Sequence, residues 1–167
     1  MKTLVIIPSR MSATRLPGKP LLKINGISII SHVSRKAEEA NIGEVIVATE
    51  DQEIIDDVRS NGFNVILTSN KHKTGTDRIH EALKKSSIRD VDFIMNLQGD
   101  EPAIDIQDII KLNDKMIKNP SNIGTLAATI KDNKNLKNEN IVKVITENAL
   151  GEDNFPRVFL FQESLRG

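Results

Sequence analysis

Four short and nearly continuous apolar runs punctuate this chain. Runs of this kind are typical of parallel strands that are covered on both faces, whereas strands with one solvated face alternate apolar and polar residues. The runs are residues 4–7, 45–48, 63–67 and 91–97. Three further strands are predicted at residues 123–130, 141–145 and 158–161.

Between these runs, apolar residues recur every three or four positions, which predicts helices with one buried face. The inward positions are Ile29, Ile30, Val33, Ala37 and Ala40 in the first helix, Ile54, Ile55 and Val58 in the second, Ile79, Ala82 and Leu83 in the third, and Ile109, Ile110, Leu112 and Met116 in a fourth over residues 106–117. Strands that alternate with helices at this spacing predict an α/β fold with a mostly parallel sheet.

The first predicted strand leads directly into a basic loop. Pro8 is expected to end the strand, since proline cannot donate to a strand ladder. Arg10, Arg15 and Lys19 follow within a short distance. Open α/β sheets bind ligands at the carboxyl ends of their strands, and guanidinium and ammonium groups suit phosphate, so the loop predicts a polyanionic ligand. For any single cation, an ordinary solvated charge is the better interpretation.

Neither of two familiar phosphate-binding glycine motifs is present. The sequence contains no G-x-x-x-x-G-K-[ST] and no G-x-G-x-x-G. Their absence argues against a P-loop ATPase and against a dinucleotide-dependent dehydrogenase.

A second polar loop, residues 68–78, precedes the third helix. Thr74, Gly75, Thr76 and Asp77 lead into the helix, and Arg78 lies in its first turn. A helix N-terminus with hydroxyl groups and a glycine can bind an anion or a ribose. It can equally be a plain N-cap, and the segment alone leaves both interpretations open.

A third loop follows the fourth apolar run and is acidic. It reads Gln98, Gly99, Asp100, Glu101 and Pro102. Carboxylates at the end of a buried strand are suited to Mg²⁺, which takes oxygen ligands and often uses one or two protein carboxylates together with phosphates. The alternative is an acidic turn that caps the next helix.

Composition narrows the class of protein without identifying it. The 167 residues are 38% hydrophobic and 28% charged, which is typical of a soluble globular domain. Lys plus Arg and Asp plus Glu number 23 each, so the net charge gives no sign of nucleic-acid binding. Cysteine is absent, no apolar run approaches the ~20 residues of a membrane span, and the N-terminus lacks the features of a signal peptide. The expected location is the cytoplasm, without membrane insertion.

One long stretch carries a resemblance to a known family. Residues 8–10 and 12–21, which read PSR and SATRLPGKPL, resemble the N-terminal signature of sugar-activating cytidylyltransferases, and most closely the 3-deoxy-manno-octulosonate (KDO) cytidylyltransferase family. The resemblance implies a three-layer α/β/α nucleotide-diphospho-sugar transferase fold. It also implies transfer of CMP from CTP to KDO with release of pyrophosphate, for lipopolysaccharide biosynthesis.

The resemblance also implies roles for individual residues. It makes Arg10, Arg15 and Lys19 the catalytic cations on the triphosphate, and it makes Asp100 the catalytic carboxylate that binds Mg²⁺. Residues implied to bind the nucleotide are Ser9, Thr14, Gly75, Thr76, Arg78 and Gln98. Lys143, in a Val-Lys-Val segment, is expected near the sugar, and Glu101 is expected to support the site without binding the metal. His72 and His80 are not clear matches and are expected to be structural.

The resemblance extends over about residues 3–145 and then fades. The expected organisation is therefore a nucleotidyltransferase domain over residues 1–146, followed by a divergent or truncated segment over residues 147–167. The family also implies a homodimer when its C-terminal half is present. Two alternatives stay open: a cytidylyltransferase for an acylneuraminate, and a truncated nucleotide-binding module without catalysis.

Overall fold

The computed structural model describes residues 1–12, 16–149, 151 and 155–162. It forms two compact units, Met1–Lys118 and Asn119–Gly167. The expected division after residue 146 lies inside the second unit. Among the described residues, none of the helices combines the length and apolar character needed to cross a bilayer.

The first unit is built on a parallel sheet of four strands, all of which coincide with predicted apolar runs. These strands are β1 (Thr3–Ser9), β4 (Gly43–Thr49), β5 (Val65–Leu67) and β6 (Phe93–Asn96), in the spatial order β5-β4-β1-β6. A small antiparallel hairpin, β2 (Lys23–Ile24) and β3 (Ile27–Ser28), follows β1 in sequence. Asn25 and Gly26 form its turn with positive φ angles of 51° and 83°, as a tight hairpin requires.

Helices cover both faces of this sheet. They are α1 (Ile29–Glu39), α2 (Gln52–Ser60), α3 (Gly75–Lys85) and α4 (Ile106–Lys118). Val5 and Ile7 of β1 share a buried cluster with α1, α2 and α4, whereas Leu4 and Ile6 share another with α3. Successive strand residues point to opposite faces, so β1 is buried between two helical layers. The expected three-layer α/β/α fold is confirmed.

The order of the strands alone predicts where a ligand would bind. From β1 the chain adds β4 and β5 on one side, and then β6 on the other side of β1. The order therefore reverses between β1 and β6. In open α/β sheets, ligands bind beyond the carboxyl ends of the strands at such a reversal.

The prediction that Pro8 ends the first strand is wrong. β1 continues to Ser9, and Pro8 pairs with Ala48 of β4. The carbonyl of Ile6 accepts a hydrogen bond from the amide of Leu97, so the backbone groups of Ile6 and of Pro8, two residues on, are directed towards the β6 side. β6 already ends at Asn96. Proline is tolerated here because that side of the strand needs no donor beyond this point.

The second unit contains a short helix, α5 (Asn133–Lys137), and an antiparallel pair, β7 (Lys143–Thr146) and β8 (Val158–Gln162). The strands predicted near residues 141–145 and 158–161 are confirmed with small shifts of their ends. The strand predicted at residues 123–130 is wrong, since this segment has no regular structure and pairs with no other described strand. Ile123 is 84% exposed, so the burial that would favour a strand is missing.

Candidate active site

A cavity of about 310 Å³ opens at the carboxyl ends of β1 and β6. Its volume falls within the range of small-molecule sites. Three segments line it: the end of β1 with the following loop, the turn after β6, and the loop leading into α3. The lining residues are Pro8, Ser9, Arg10, Lys19, Pro20, His72, Lys73, Thr74, Gly75, Arg78, Gln98, Gly99 and Asp100.

A backbone hydrogen bond joins the two ends of the basic loop just before Lys19. The amide of Gly18 donates to the carbonyl of Met11 at 3.0 Å, and Gly18 has a φ of 73°, which favours glycine. The carboxylate of Asp51, at the start of α2, accepts the Met11 amide at 2.7 Å. These contacts fix the position from which Lys19 begins a short 3-10 helix, Lys19–Leu21.

Lys19 and Asp100, 81 residues apart in sequence, meet in this cavity. Lys19 Nζ lies 2.7 Å from Asp100 Oδ2. Their side chains are 33% and 52% exposed. The structure thus brings a predicted phosphate-binding cation and the predicted metal ligand together. An exposed pair of this kind contributes only about 0–1 kcal/mol, so a ligand can separate it at little cost.

Gly99 allows the acidic turn to approach the end of β1. A Cβ on Gly99 would lie 3.0 Å from Ile30 Cδ1 and 3.1 Å from the Pro8 carbonyl oxygen. A larger residue would push the turn away from β1. Gln98, beside it, is exposed in the cavity and donates to Asn96 Oδ1 at 3.2 Å.

Ser9 carries a buried hydroxyl at the end of β1. The residue is 7% exposed, and among the described residues its Oγ is the buried side-chain polar atom that lacks a hydrogen-bond partner. Buried polar groups are normally paired, so an unpaired one that lines a cavity indicates a partner supplied by a ligand or by water. Arg10, next in sequence, is exposed and lines the same cavity.

The start of α3 forms another part of the cavity wall. Thr74 caps the helix: its Oγ1 accepts the Asp77 amide at 3.2 Å and donates to the Asp77 carboxylate at 2.7 Å. A Cβ on Gly75 would lie 3.5 Å from Pro8 Cγ, so this turn packs against the end of β1. Thr76 is exposed but does not line the cavity, in contrast to Gly75.

Arg78 borders the cavity, but its guanidinium is bound to the protein. The residue is 3% exposed and forms an ion pair with Glu50. It also donates to Thr68 Oγ1 at 2.6 Å and to the Ser69 carbonyl at 3.4 Å. The guanidinium therefore ties α3 to the loops that follow β4 and β5.

A histidine-carboxylate pair in this wall was missed by sequence reasoning. His72, expected to be structural, lines the cavity, and its Nε2 is hydrogen-bonded to Glu81. The hydrogen bond from Lys85, together with those from the Ser69 amide and His72, lowers the pKa of Glu81 from 4.5 to about 2. The sequence contained one sign of this cluster, the Glu81 and Lys85 spacing of four residues on one helix.

Four predicted residues remain. Thr14 and Arg15 are outside the described residues. Lys143 belongs to the second unit, where it is buried and donates to the Asn138 carbonyl. Glu101 is exposed and does not line the cavity.

Within the described part of the chain, no three His, Cys, Asp or Glu side chains converge as a metal centre. The cavity nevertheless contains an exposed Asp100 carboxylate, a hard oxygen donor. Mg²⁺ commonly keeps several waters and binds through one or two carboxylates and substrate phosphates. A single carboxylate in a cavity that Arg10 and Lys19 also line fits that mode of binding.

Comparison with known proteins identifies the class to which this site belongs. The cytidylyltransferase family model matches residues 4–164, so the chain belongs to the cytidylyltransferase family. The match continues past residue 145, where the resemblance was expected to end.

Two curated relatives show which cytidylyltransferases the chain is similar to. The chain is 46% identical over 145 residues to the 3-deoxy-manno-octulosonate cytidylyltransferase of Rhodopseudomonas palustris strain HaA2, covering 86% of this chain and 59% of that protein. It is 44% identical over 147 residues to the protein of the same name from Mesorhizobium japonicum, covering 87% of this chain and 60% of that protein. This chain therefore spans about 60% of the length of these curated relatives.

A solved structure agrees with this assignment. A CMP:2-keto-3-deoxy-manno-octonic acid synthetase in complex with CTP superposes with a TM-score of 0.85 at 35% identity, covering 98% of this chain and 65% of that chain. The nucleotide-diphospho-sugar transferase-like fold implied by the sequence resemblance is thereby confirmed.

Proposed function

We propose that this chain forms the CTP-binding part of an enzyme that transfers CMP from CTP to KDO and releases pyrophosphate. The observation that carries the proposal is the meeting of Lys19 and Asp100 at 2.7 Å in a cavity at the strand-order reversal. One nucleoside triphosphate with its metal can contact both groups there. The similarity to KDO cytidylyltransferases supports the choice of sugar.

The phosphates would be held by the loop after β1. Arg10 and Lys19 line the cavity, and Arg15 joins them by the sequence resemblance. Attack of the sugar hydroxyl on the α-phosphorus builds negative charge on the phosphate oxygens and on the departing pyrophosphate. Cations already in position stabilise that charge without reorganisation during the reaction.

Asp100 would hold Mg²⁺. The bound ion would neutralise charge on the phosphate oxygens and orient them for displacement. Lys19 would exchange its contact with Asp100 for one with a phosphate oxygen, since both contacts satisfy the same ammonium group.

The nucleotide would be held by a second set of groups. Ser9 contributes the buried unpaired hydroxyl, Gln98 an exposed amide, and Gly75 a backbone position close to the end of β1. Arg78 would act by positioning the loops around the nucleotide, because its guanidinium contacts Glu50 and Thr68. Thr14 and Thr76 complete the proposed nucleotide-binding set on the sequence resemblance alone.

The wider setting is proposed from the same relationship. The product would be the activated sugar for lipopolysaccharide biosynthesis, made in the cytoplasm by a homodimeric enzyme. On the sequence resemblance alone, Lys143 would lie near the sugar. No nucleic-acid or membrane partner is proposed.

The test is a pyrophosphate-release assay on the full chain with CTP, Mg²⁺ and either KDO or N-acetylneuraminate. The proposal predicts release with KDO, dependence on Mg²⁺, and loss of release in Asp100→Ala. Preference for N-acetylneuraminate would instead assign an acylneuraminate cytidylyltransferase. CTP binding without turnover on either sugar would contradict catalysis by this chain and favour a nucleotide-binding module.

A further inference from the structure

The histidine-carboxylate pair formed by His72 and Glu81 has no role in the phosphate chemistry proposed above. We propose that His72 recognises the base of the bound nucleotide, with Nδ1 accepting a hydrogen bond from the exocyclic amine of cytosine and with Glu81 setting the orientation of the ring. This inference rests on the proposed function, because it concerns the same nucleotide.

The end of β1 separates the two walls of the cavity. Pro8 lies between Gly75 and Gly99, with its Cγ 3.5 Å from the Cβ position of one and its carbonyl oxygen 3.1 Å from that of the other. The Gly99 side carries Asp100 and its partner Lys19. A nucleotide whose triphosphate and metal occupy that side directs its nucleoside towards the other wall, where His72 lies.

Glu81 determines which ring nitrogen of His72 carries a proton. The carboxylate accepts the Ser69 amide at 2.9 Å and the Lys85 ammonium at 2.7 Å in addition to His72 Nε2. With its pKa lowered to about 2, Glu81 is ionised at neutral pH and can only accept hydrogen bonds. Nε2 is therefore the donor, and in the neutral ring Nδ1 presents a lone pair.

The Nδ1 atom has no hydrogen-bond partner among the described residues. His72 lines the cavity with its side chain 22% exposed, and within the described part of the chain its recorded polar contact is the one between Nε2 and Glu81. Of the cations near this pair, Arg78 is engaged by Glu50 and Lys85 by Glu81. Lys73, next to His72 in sequence, is exposed and also lines the cavity. The wall thus offers His72 Nδ1 as a hydrogen-bond acceptor beside the expected position of the base.

An acceptor at this position distinguishes cytosine from uracil. Cytosine carries an amine at the position where uracil carries a carbonyl oxygen, so uracil would place two acceptors against each other. An unsatisfied polar contact of this kind corresponds to a roughly tenfold to hundredfold loss in affinity. His72 is accordingly proposed as a specificity-determining residue for CTP over UTP.

The experiment measures CTP and UTP affinities by titration calorimetry with Mg²⁺ present, for the full chain and its variants. The wild type is expected to prefer CTP. His72→Ala and His72→Phe are expected to weaken CTP binding about tenfold or more while changing UTP binding little, so that the preference collapses. The Phe variant keeps a flat ring without the acceptor and provides the same readout if the Ala variant does not fold.

Two further variants make the test specific. Glu81→Ala removes the acceptor of the Nε2 proton, so the ring is no longer held in one tautomer and the preference for CTP is expected to fall. His80→Ala is the matched control, since His80 lies on the same helix, is exposed and does not line the cavity. It should leave both affinities unchanged.

The outcomes separate this inference from the proposed function. Equal loss of CTP and UTP affinity in the His72 variants, or an unchanged CTP preference, would overturn base recognition while leaving the CTP site intact. An unchanged preference in Glu81→Ala would overturn the orienting role of Glu81. A wild-type chain that binds neither nucleotide would overturn the proposed function itself.

Discussion

Each wall of the cavity contains an ion pair: Lys19 and Asp100 in the wall formed by the turn after β6, and Arg78 and Glu50 in the wall formed by the start of α3. The two pairs differ in burial. Lys19 and Asp100 are 33% and 52% exposed, whereas Arg78 and Glu50 are 4% and 16% exposed. Water screens the first pair, so it stabilises the fold little and its members can turn to a ligand. The second pair is shielded, and removing one member leaves a charge in a poorly solvated place.

This difference in burial indicates that one wall is suited to ligand binding and the other to structural support. The exposed pair belongs to the wall that would bind phosphate and metal, where groups must change partners when a substrate enters. The more shielded pair, Arg78 and Glu50, belongs to the wall that keeps α3 and the loops after β4 and β5 in place. Lys19 and Arg78 look equivalent in the sequence, since each is a cation in a polar loop or helix start. Substitutions at the two positions are nevertheless expected to have different effects.

The largest expected effect is the loss of stability in Arg78→Met. The substitution leaves Glu50, whose side chain is only 16% exposed, without its partner, which costs up to about 3–5 kcal/mol of the free energy of unfolding. Urea denaturation measures it. The double variant Arg78→Met with Glu50→Gln should recover part of the loss, since it removes the uncompensated charge. A single variant as stable as the wild type would show that the pair does not hold this wall.

Lys19→Ala and Asp100→Asn are expected to affect catalysis with little effect on folding. Each should lower pyrophosphate release about 100- to 1000-fold, the usual result of removing a group that stabilises developing charge. The free energy of unfolding should change by less than about 1 kcal/mol. Lys23→Ala is the control, since Lys23 is an exposed lysine of the hairpin that does not line the cavity. Wild-type rates in both variants would remove this pair from the proposed mechanism.

Asp51→Ala is expected to weaken CTP binding about tenfold, because a lost hydrogen bond to a charged group costs about 1.5–3 kcal/mol. The Asp51 carboxylate accepts the Met11 amide and so fixes the beginning of the basic loop. Titration calorimetry measures the change. Glu53→Ala removes the acid of the first turn of α2, which Asp51 precedes as the N-cap residue, and should leave CTP affinity near that of the wild type. Equal effects of the two substitutions would assign the loss to helix electrostatics instead.

Glu81→Gln should reveal a pH-dependent stabilisation of the α3 wall. The pKa of Glu81 is lowered from 4.5 to about 2 in the folded chain, so folding favours its ionised form. The stabilisation is complete above pH 4.5 and is lost as the pH falls towards 2. The stability difference between wild type and variant should therefore narrow over this interval in urea denaturation. A difference that is constant with pH would argue against the carboxylate cluster.

Ser9→Ala is the smallest expected change. The hydroxyl has no partner in the protein, so its removal should leave stability unchanged or slightly raised. CTP affinity should fall severalfold if the ligand supplies the missing partner, in line with about 1 kcal/mol for a neutral hydrogen bond. Unchanged CTP affinity would leave water as the partner of this hydroxyl.

Much of the fold could be predicted because the relevant signals are local. The parallel strands are continuous apolar runs, and the Asn25-Gly26 turn and the Thr74 cap are short motifs with specific geometry. The cavity loops follow strands directly, so the sheet topology alone brings them to one edge.

The failures depend on contacts that no local pattern encodes. Pro8 is tolerated in β1 because the neighbouring strand ends early, which is a property of the assembled sheet. Residues 123–130 are apolar enough for a strand but have no paired neighbour among the described residues. Likewise, the burial of Arg78 against Glu50 and the contact of His72 with Glu81 join residues from different parts of the chain. Sequence spacing could not distinguish these from ordinary surface charges.

The central claim is that the cation and the acid at the strand-order reversal serve one ligand. Titration of CTP into the wild type and Asp100→Asn, each with and without Mg²⁺, tests it most directly. The account predicts that Mg²⁺ tightens CTP binding to the wild type and that the variant loses this gain while still binding metal-free CTP. An equal gain from Mg²⁺ in both proteins would contradict it.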